Sequence, residues 1–140
     1  MDAEKQTKIE ALLAQPILAR LATASPDGQP HVVPVWFLWE DGSAWVSSYH
    51  STRKIRDLER NPRCALVVDV FEAKGGLTAV LLEGEAELVT GPRDELRARI
   101  LRLYTKYLGP QGVLAPEPQE WLNSPENLLV KLTPRRTMSW

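Results

Sequence analysis

The 140-residue sequence is short of cysteine, of charge of one sign and of long apolar runs. A single cysteine excludes a disulfide framework and any metal cluster built on several thiolates. Lys and Arg total 17 against 18 Asp and Glu, a formal net charge of −1. Nucleic-acid binders usually carry a basic excess, and this chain has none. No apolar run approaches the roughly 20 residues that span a bilayer. The first segment, MDAEKQTKIEALLAQ, starts acidic and lacks the apolar stretch of a signal peptide. A cytoplasmic protein with no nucleic-acid and no membrane partner is therefore expected. Phe and Tyr are also scarce, at two and three, yet there are five Trp. A Trp ring is large and its N–H wants a partner, so five of them call for a reason. The hydrophobic fraction of 44% and charged fraction of 25% are those of a globular chain, and the length suits one domain over 1–140.

The pattern of apolar residues and breakers gives the order of elements. Residues 3–14 place Ile9, Leu12 and Leu13 at helical spacing, and Pro16 stops them. Short apolar strands follow at 17–24, 31–39 and 44–49, separated by Ser-Pro-Asp-Gly and by Asp41-Gly42, both with turn chemistry. Pro34 removes a donor, so its strand lies at an edge or carries a bulge. The period changes at 52–61, a helix ended by Asn61-Pro62. CALVVDVF at 64–71 reads as a strand buried on both faces, which would make Asp69 a buried carboxylate in need of a partner such as Arg. Ala73 to Gly76 is a loop and 77–90 a long strand whose Glu83, Glu85 and Glu87 form a wet face. Leu96, Ile100, Leu103, Tyr104, Tyr107 and Leu108 share one face of a helix at 93–108. Residues 109–118 read as a loop, 127–132 and 135–140 as strands. Six or seven mostly antiparallel strands with three helices make a mainly β protein, a barrel with peripheral helices.

The segment with most chemical content is Ser47-Ser48-Tyr49-His50-Ser51-Thr52-Arg53-Lys54-Ile55. It follows a strand and opens a helix that Ser51 or Thr52 can cap. Arg53 and Lys54 then fall in the first turn, where free N–H groups already make the helix end positive. Cations there make sense when an external anion joins them, and hydroxyls, amides and ammonium together form a phosphate cradle. Residues 52–63 hold five basic and two acidic side chains, so internal pairing does not consume the patch. Pro34-Val35-Trp36-Phe37-Leu38 is the second candidate, since a strand broken by Pro can lay its backbone along a flat ligand; the other reading of these residues is that Trp36 and Phe37 fill the core. Trp36 and Trp39 fall on this strand and Trp45 on its hairpin partner; Trp121 has no assigned role. Two isolated His, His31 and His50, match no metal or catalytic pattern, and Cys64 reads as an inert core thiol. Arg135 and Arg136 are either surface residues or contacts for an anionic tail.

The order ARLATASPDGQPHVVPVWFLWEDG, a short strand, then STRKIRDLERNPRCALVVD resembles the pyridoxamine 5′-phosphate oxidase-like split-barrel superfamily. Within it the chain is most similar to the small coenzyme F420-dependent flavin/deazaflavin oxidoreductases. The motifs that carry this are A-T-x-x-x-D-G-x-P-H at 22–31 and R-K-x-R-x-L-x-x-N-P-R at 53–63. The resemblance implies a split β-barrel homodimer with cofactor sites at the subunit interface. It implies a cofactor ring against Pro34, Val35, Trp36, Phe37 and Leu38. It implies a phosphate at Thr52, Arg53, Lys54 and Ile55, with Lys54 foremost, Ser48 as a further cofactor-binding residue, and closure by Leu77, Thr78 and Ala79 of the other protomer. Trp140 would lie near the subunit interface. The implied activity is hydride transfer from F420, or from FMN, to a small planar acceptor, with no metal. The residue that supplies the substrate proton is open between water, Tyr49 and His50. A different reading is a non-catalytic protein that binds or senses a flavin, haem or tetrapyrrole. Pyridoxamine phosphate oxidases proper carry a C-terminal substrate-binding extension, so pyridoxamine phosphate is not the expected substrate.

Overall fold

The structure, a computed structural model, describes residues 2–71, 76 and 78–140. The expected loop residues Ala73, Lys74 and Gly75, and the site residue Leu77, lie outside the described residues. Helix α1, Ala3–Leu13, starts where the Asp2 carboxylate accepts the Lys5 N–H at 2.7 Å. Strands β1 (Ala19–Ala24), β2 (Pro30–Val35), β3 (Leu38–Glu40) and β4 (Ser43–Tyr49) follow, then α2 (Arg53–Arg60), β5 (Arg63–Asp69) and β6 (Ala79–Val89). The chain closes with α3 (Arg93–Gly112), α4 (Pro116–Asn123) and β7 (Asn127–Ser139). Among the described residues no helix is long and apolar enough to cross a membrane.

The seven strands form one antiparallel sheet in the order β2-β1-β5-β6-β7-β4-β3, curled into a half-barrel. β2 and β3 are the two edges, yet only Trp36 and Phe37 separate them in sequence. The expected single strand at 31–39 is therefore two strands, and Pro34 sits on an edge, where a missing N–H costs nothing. Three other readings are corrected. The apolar run at 64–71 alternates: Cys64, Leu66 and Val68 are buried, whereas Asp69 is exposed and pairs with Arg20 at 2.6 Å. Residues 127–139 form one strand. It runs past Gly84 through a bulge, where a Cβ would come within 2.9 Å of the Thr133 carbonyl. The segment 109–118 is largely helical: Gly109, at φ 79°, kinks α3, and Pro116 opens α4. Proline and glycine there mark helix boundaries, not the absence of helix.

Two apolar clusters hold the fold. One fills the inside of the curled sheet with Leu21, Phe37, Leu66, Leu82 and Leu132, plugged by Ile9 and Leu13 of α1 and by Ile55 and Leu58 of α2. The other lies between α3, α4 and β4, with Trp45, Leu96, Ile100, Leu103, Leu122 and Leu129. Each fully buried aliphatic side chain contributes about 1.5–3 kcal/mol. The two clusters meet at Trp36-Phe37, and the groove they leave there is the site described next.

Candidate functional site

The sharp turn from β2 to β3 is held from behind by consecutive residues of α3. The Tyr107 hydroxyl accepts the Phe37 N–H at 3.0 Å and donates to the Ile17 carbonyl at 2.9 Å. The Lys106 ammonium donates to the carbonyls of Leu13 and Phe37, both at 2.9 Å, and lies 3.7 Å above the Phe37 ring. Burial lowers its pKa to about 8. These bonds fix the backbone, and the Trp36 indole stacks on Tyr107 at 4.9 Å with 6° between planes.

In front of this turn runs a cleft of about 570 Å³ lined by Pro34, Val35, Trp36, Ser47, Lys54, Tyr104 and Trp121. Ser47, Lys54, Tyr104 and Trp121 also line a neighbouring hollow of about 340 Å³ with Ser48, Tyr49, Ser51, Thr52 and Asn127. One half is walled by aromatic rings, the other by hydroxyls. Trp36, Tyr104 and Trp121 meet edge to face, with centroids 5.9–6.4 Å apart.

Helix α2 starts at the hydroxyl-lined half. Its N-cap is Thr52, but the Thr52 hydroxyl is spent on the Tyr49 carbonyl at 3.1 Å and on Ser48 Oγ at 2.9 Å. No side chain caps the first-turn N–H groups and no acid stands among them. The first turns of α1, α3 and α4 each contain an acid. Lys54 reaches the cleft without a hydrogen bond or ion pair among the described residues, and desolvation alone pulls its pKa down. Arg53 goes elsewhere: its Nε lies 3.7 Å from Asp57, a buried carboxylate that also accepts from Thr23 at 3.0 Å.

The structure thus gathers Pro34, Val35, Trp36, Ser48, Thr52 and Lys54 of the expected site. Phe37 and Ile55 are fully buried core residues, and Leu38 packs in the α3–α4 cluster. Thr78 and Ala79 bond to the Trp140 carbonyl and do not line this cleft. His50 is exposed near Glu59, and His31 lies by Asp57. Arg135 and Arg136 pair with Glu85 and Glu83. Burial pushes the Cys64 thiol up to about 12, which disfavours the thiolate. Sequence reasoning missed Tyr104, Trp121 and Asn127 as cleft residues, and held Ser47 only as the first residue of the hydroxyl-bearing segment. Tyr104 reads as helix core, which it also is. An Asn opening an apolar strand was the available signal, because a buried amide must find partners.

The family model of pyridoxamine 5′-phosphate oxidase matches residues 6–140. The chain belongs to this family. Among solved structures, a conserved hypothetical protein from Mycobacterium tuberculosis is 27% identical at a TM-score of 0.81, over 100% of this chain and 84% of that one. An F420 reductase is 26% identical at a TM-score of 0.72, over 92% and 94% of the two chains. A heme storage protein from Vibrio cholerae, 18% identical at a TM-score of 0.73 over 99% and 94%, shares the fold. No curated protein matches the chain in sequence. As a pyridoxamine 5′-phosphate oxidase family member it has a fold that serves flavin reductases and heme-binding proteins alike.

Proposed function

We propose that this chain is an oxidoreductase that binds a flavin-type cofactor in the cleft, coenzyme F420 in preference to FMN, and reduces a small planar acceptor. Lys54 carries the reading. A half-buried ammonium without a partner is costly, and it stands beside a helix start whose free amides add to the positive field. A phosphate supplies the missing anion, with Thr52, Ser48 and the α2 amides as further contacts. Pro34, Val35 and Trp36 form a flat wall of the right kind for an aromatic ring. When bound, such a cofactor supplies hydride-transfer chemistry. The chain's own part is to hold it, to orient it against Trp36 and to keep water off with Tyr104 and Trp121. The likeness to an F420 reductase supports F420 over FMN.

We also propose a homodimer. In the sheet register Pro34, Arg20, Val67, Leu81 and Met138 form one row across five strands, on the outer face. Val32 (62% exposed), Leu18, Met138 and Trp140 expose apolar surface on this face around the Arg20–Asp69 ion pair. A second copy would cover it and bring its own Thr78 and Ala79 toward the cofactor. Sedimentation equilibrium should give twice the chain mass, and Val32→Glu should give the monomer.

Titration with F420 and with FMN, followed by tryptophan fluorescence, tests the cofactor claim. Strong quenching by F420 is expected; no quenching by either overturns it. Turnover of reduced cofactor with a panel of quinones and enones distinguishes a reductase from a protein that only binds. Neither His31 nor His50 lines the cleft, so imidazole ligation of haem has no support there.

A further inference from the structure

Tyr104 stands where the aromatic and hydroxyl halves of the cleft meet, and it lines both. Its phenol oxygen receives Asn127 Nδ2 at 3.0 Å and Ser47 Oγ at 3.3 Å. The Asn127 amide has one orientation, because its Nδ2 also lies 2.9 Å from the Trp121 carbonyl, which can only accept. Two donors fill the phenol oxygen's lone pairs. Its own O–H then has no acceptor among the described residues. The ring cannot swing to find one: it is wedged edge to face between Trp36 and Trp121, at 6.1 and 5.9 Å.

From this geometry we infer that Tyr104 donates a hydrogen bond to a carbonyl oxygen of a planar ligand lying against Trp36, so that the cleft selects flat carbonyl compounds over hydrocarbons of the same shape. The inference rests on the reading that the cleft takes a flat ligand, not on which cofactor it takes. A hydrocarbon would bury the phenol O–H without a partner, which is the costly outcome for a polar group; a ketone satisfies it. Burial holds the phenol above its usual range, so the proton stays in place across the neutral and mildly alkaline range. Asn127 and Ser47 are positioning residues in this scheme. They hold the oxygen but do not meet the ligand's carbonyl.

The test uses 1-indanone and indane, a flat ketone and its hydrocarbon, with the full chain in equilibrium dialysis. Changing Tyr104→Phe should lower the ketone-to-hydrocarbon affinity ratio by roughly three- to tenfold, the range for one net hydrogen bond. An unchanged ratio overturns the inference, as does failure of the wild type to bind either compound. Should the single variant fail to fold, Tyr104→Phe with Asn127→Leu removes both partners together and carries the same expectation. Ketone selectivity in a chain that binds neither F420 nor FMN would sink the cofactor reading alone. Cofactor binding with an unchanged ratio in the Tyr104 variant would sink this inference alone.

Discussion

Two regions of the molecule hold cations beside the sheet, and they treat them in opposite ways. At the β3–β4 hairpin, Arg102 grips Glu40 through two bonds of 2.9 and 2.7 Å. Arg99 lies 3.1 Å from Glu40, 3.3 Å from Asp41 and 3.7 Å above the Trp45 ring. Arg99, Arg102, Glu40 and Asp41 are all paired, and the result is a clamp between α3 and the sheet. At the start of α2, Lys54 shares the cleft lining with Ser47, Tyr104, Trp36 and Trp121 and has no ion pair among the described residues. Lys106 marks a middle case, a desolvated ammonium satisfied by two carbonyls. A cation that is paired is part of the fold. One left unpaired at a cost to stability points to an anion brought from outside.

The sharpest way to break this comparison is to remove Lys54. Lys54→Ala should weaken F420 or FMN binding by about 1.5–3 kcal/mol, the range for a hydrogen bond to a charged group. It should not lower the melting temperature. The sign follows from the pKa: a lysine whose folded pKa lies below its unfolded value penalises folding below both and stops doing so as pH rises past them. The neutral variant should thus melt at the same or higher temperature at pH 7. Lost stability with unchanged affinity would make Lys54 a fold residue.

The clamp should respond the other way. Glu40→Gln should cost about 0.5–1.5 kcal/mol at pH 7 and leave cofactor affinity unchanged, a modest value because the pairs are partly exposed. The Arg102 hydrogen bonds hold the Glu40 pKa below its usual value. Its contribution is therefore present above the unfolded pKa and lost as pH falls through the folded one. Denaturant melts of wild type and variant should converge in acid, and a gap that persists at low pH would refute the pairing.

How much of this was legible in the sequence follows from where the determinants sit. Asp41-Gly42 gave its hairpin because φ is positive at both, 56° and 72°, a local demand that local residues answer. Thr52-Arg53-Lys54 gave its helix start for the same reason. The cleft was only half legible, because it is assembled from β2, β4, α2, α3, α4 and β7, and no local pattern encodes their meeting. Of the five Trp, Trp36 and Trp121 line the cleft, the second without any sequence signal. Trp39 packs against the main core and Trp45 lies under Arg99. Helix α4 was lost because Pro116 and Pro118 look like breakers when counted and like a first turn when placed.

A gentler change tests whether the α2 start is empty by design. Ser51→Asp supplies an internal anion there. It should raise stability by about 0.3–1 kcal/mol through the helix field and weaken cofactor binding by competing for the same amides. Thermal melts and the fluorescence titration read the two effects separately. Improved cofactor binding would mean that the anion does not sit at this helix end.

The smallest expected effect is also the one that discriminates best. In sequence Arg53 and Lys54 are equivalent cations of one turn, but helical geometry turns consecutive side chains about 100° apart. Lys54 enters the cleft, whereas Arg53 leans back four residues onto Asp57, whose other partner, Thr23, ties α2 to β1. Arg53→Ala should therefore change cofactor affinity by less than about threefold, within the value of one exposed ion pair. Its cost should appear as a slightly lower melting temperature, from an Asp57 carboxylate left with the Thr23 hydroxyl and the His31 ring 4.0 Å away. An affinity loss equal to that of Lys54→Ala would mean that both cations reach the phosphate, and that Asp57 only parks Arg53 until the ligand arrives.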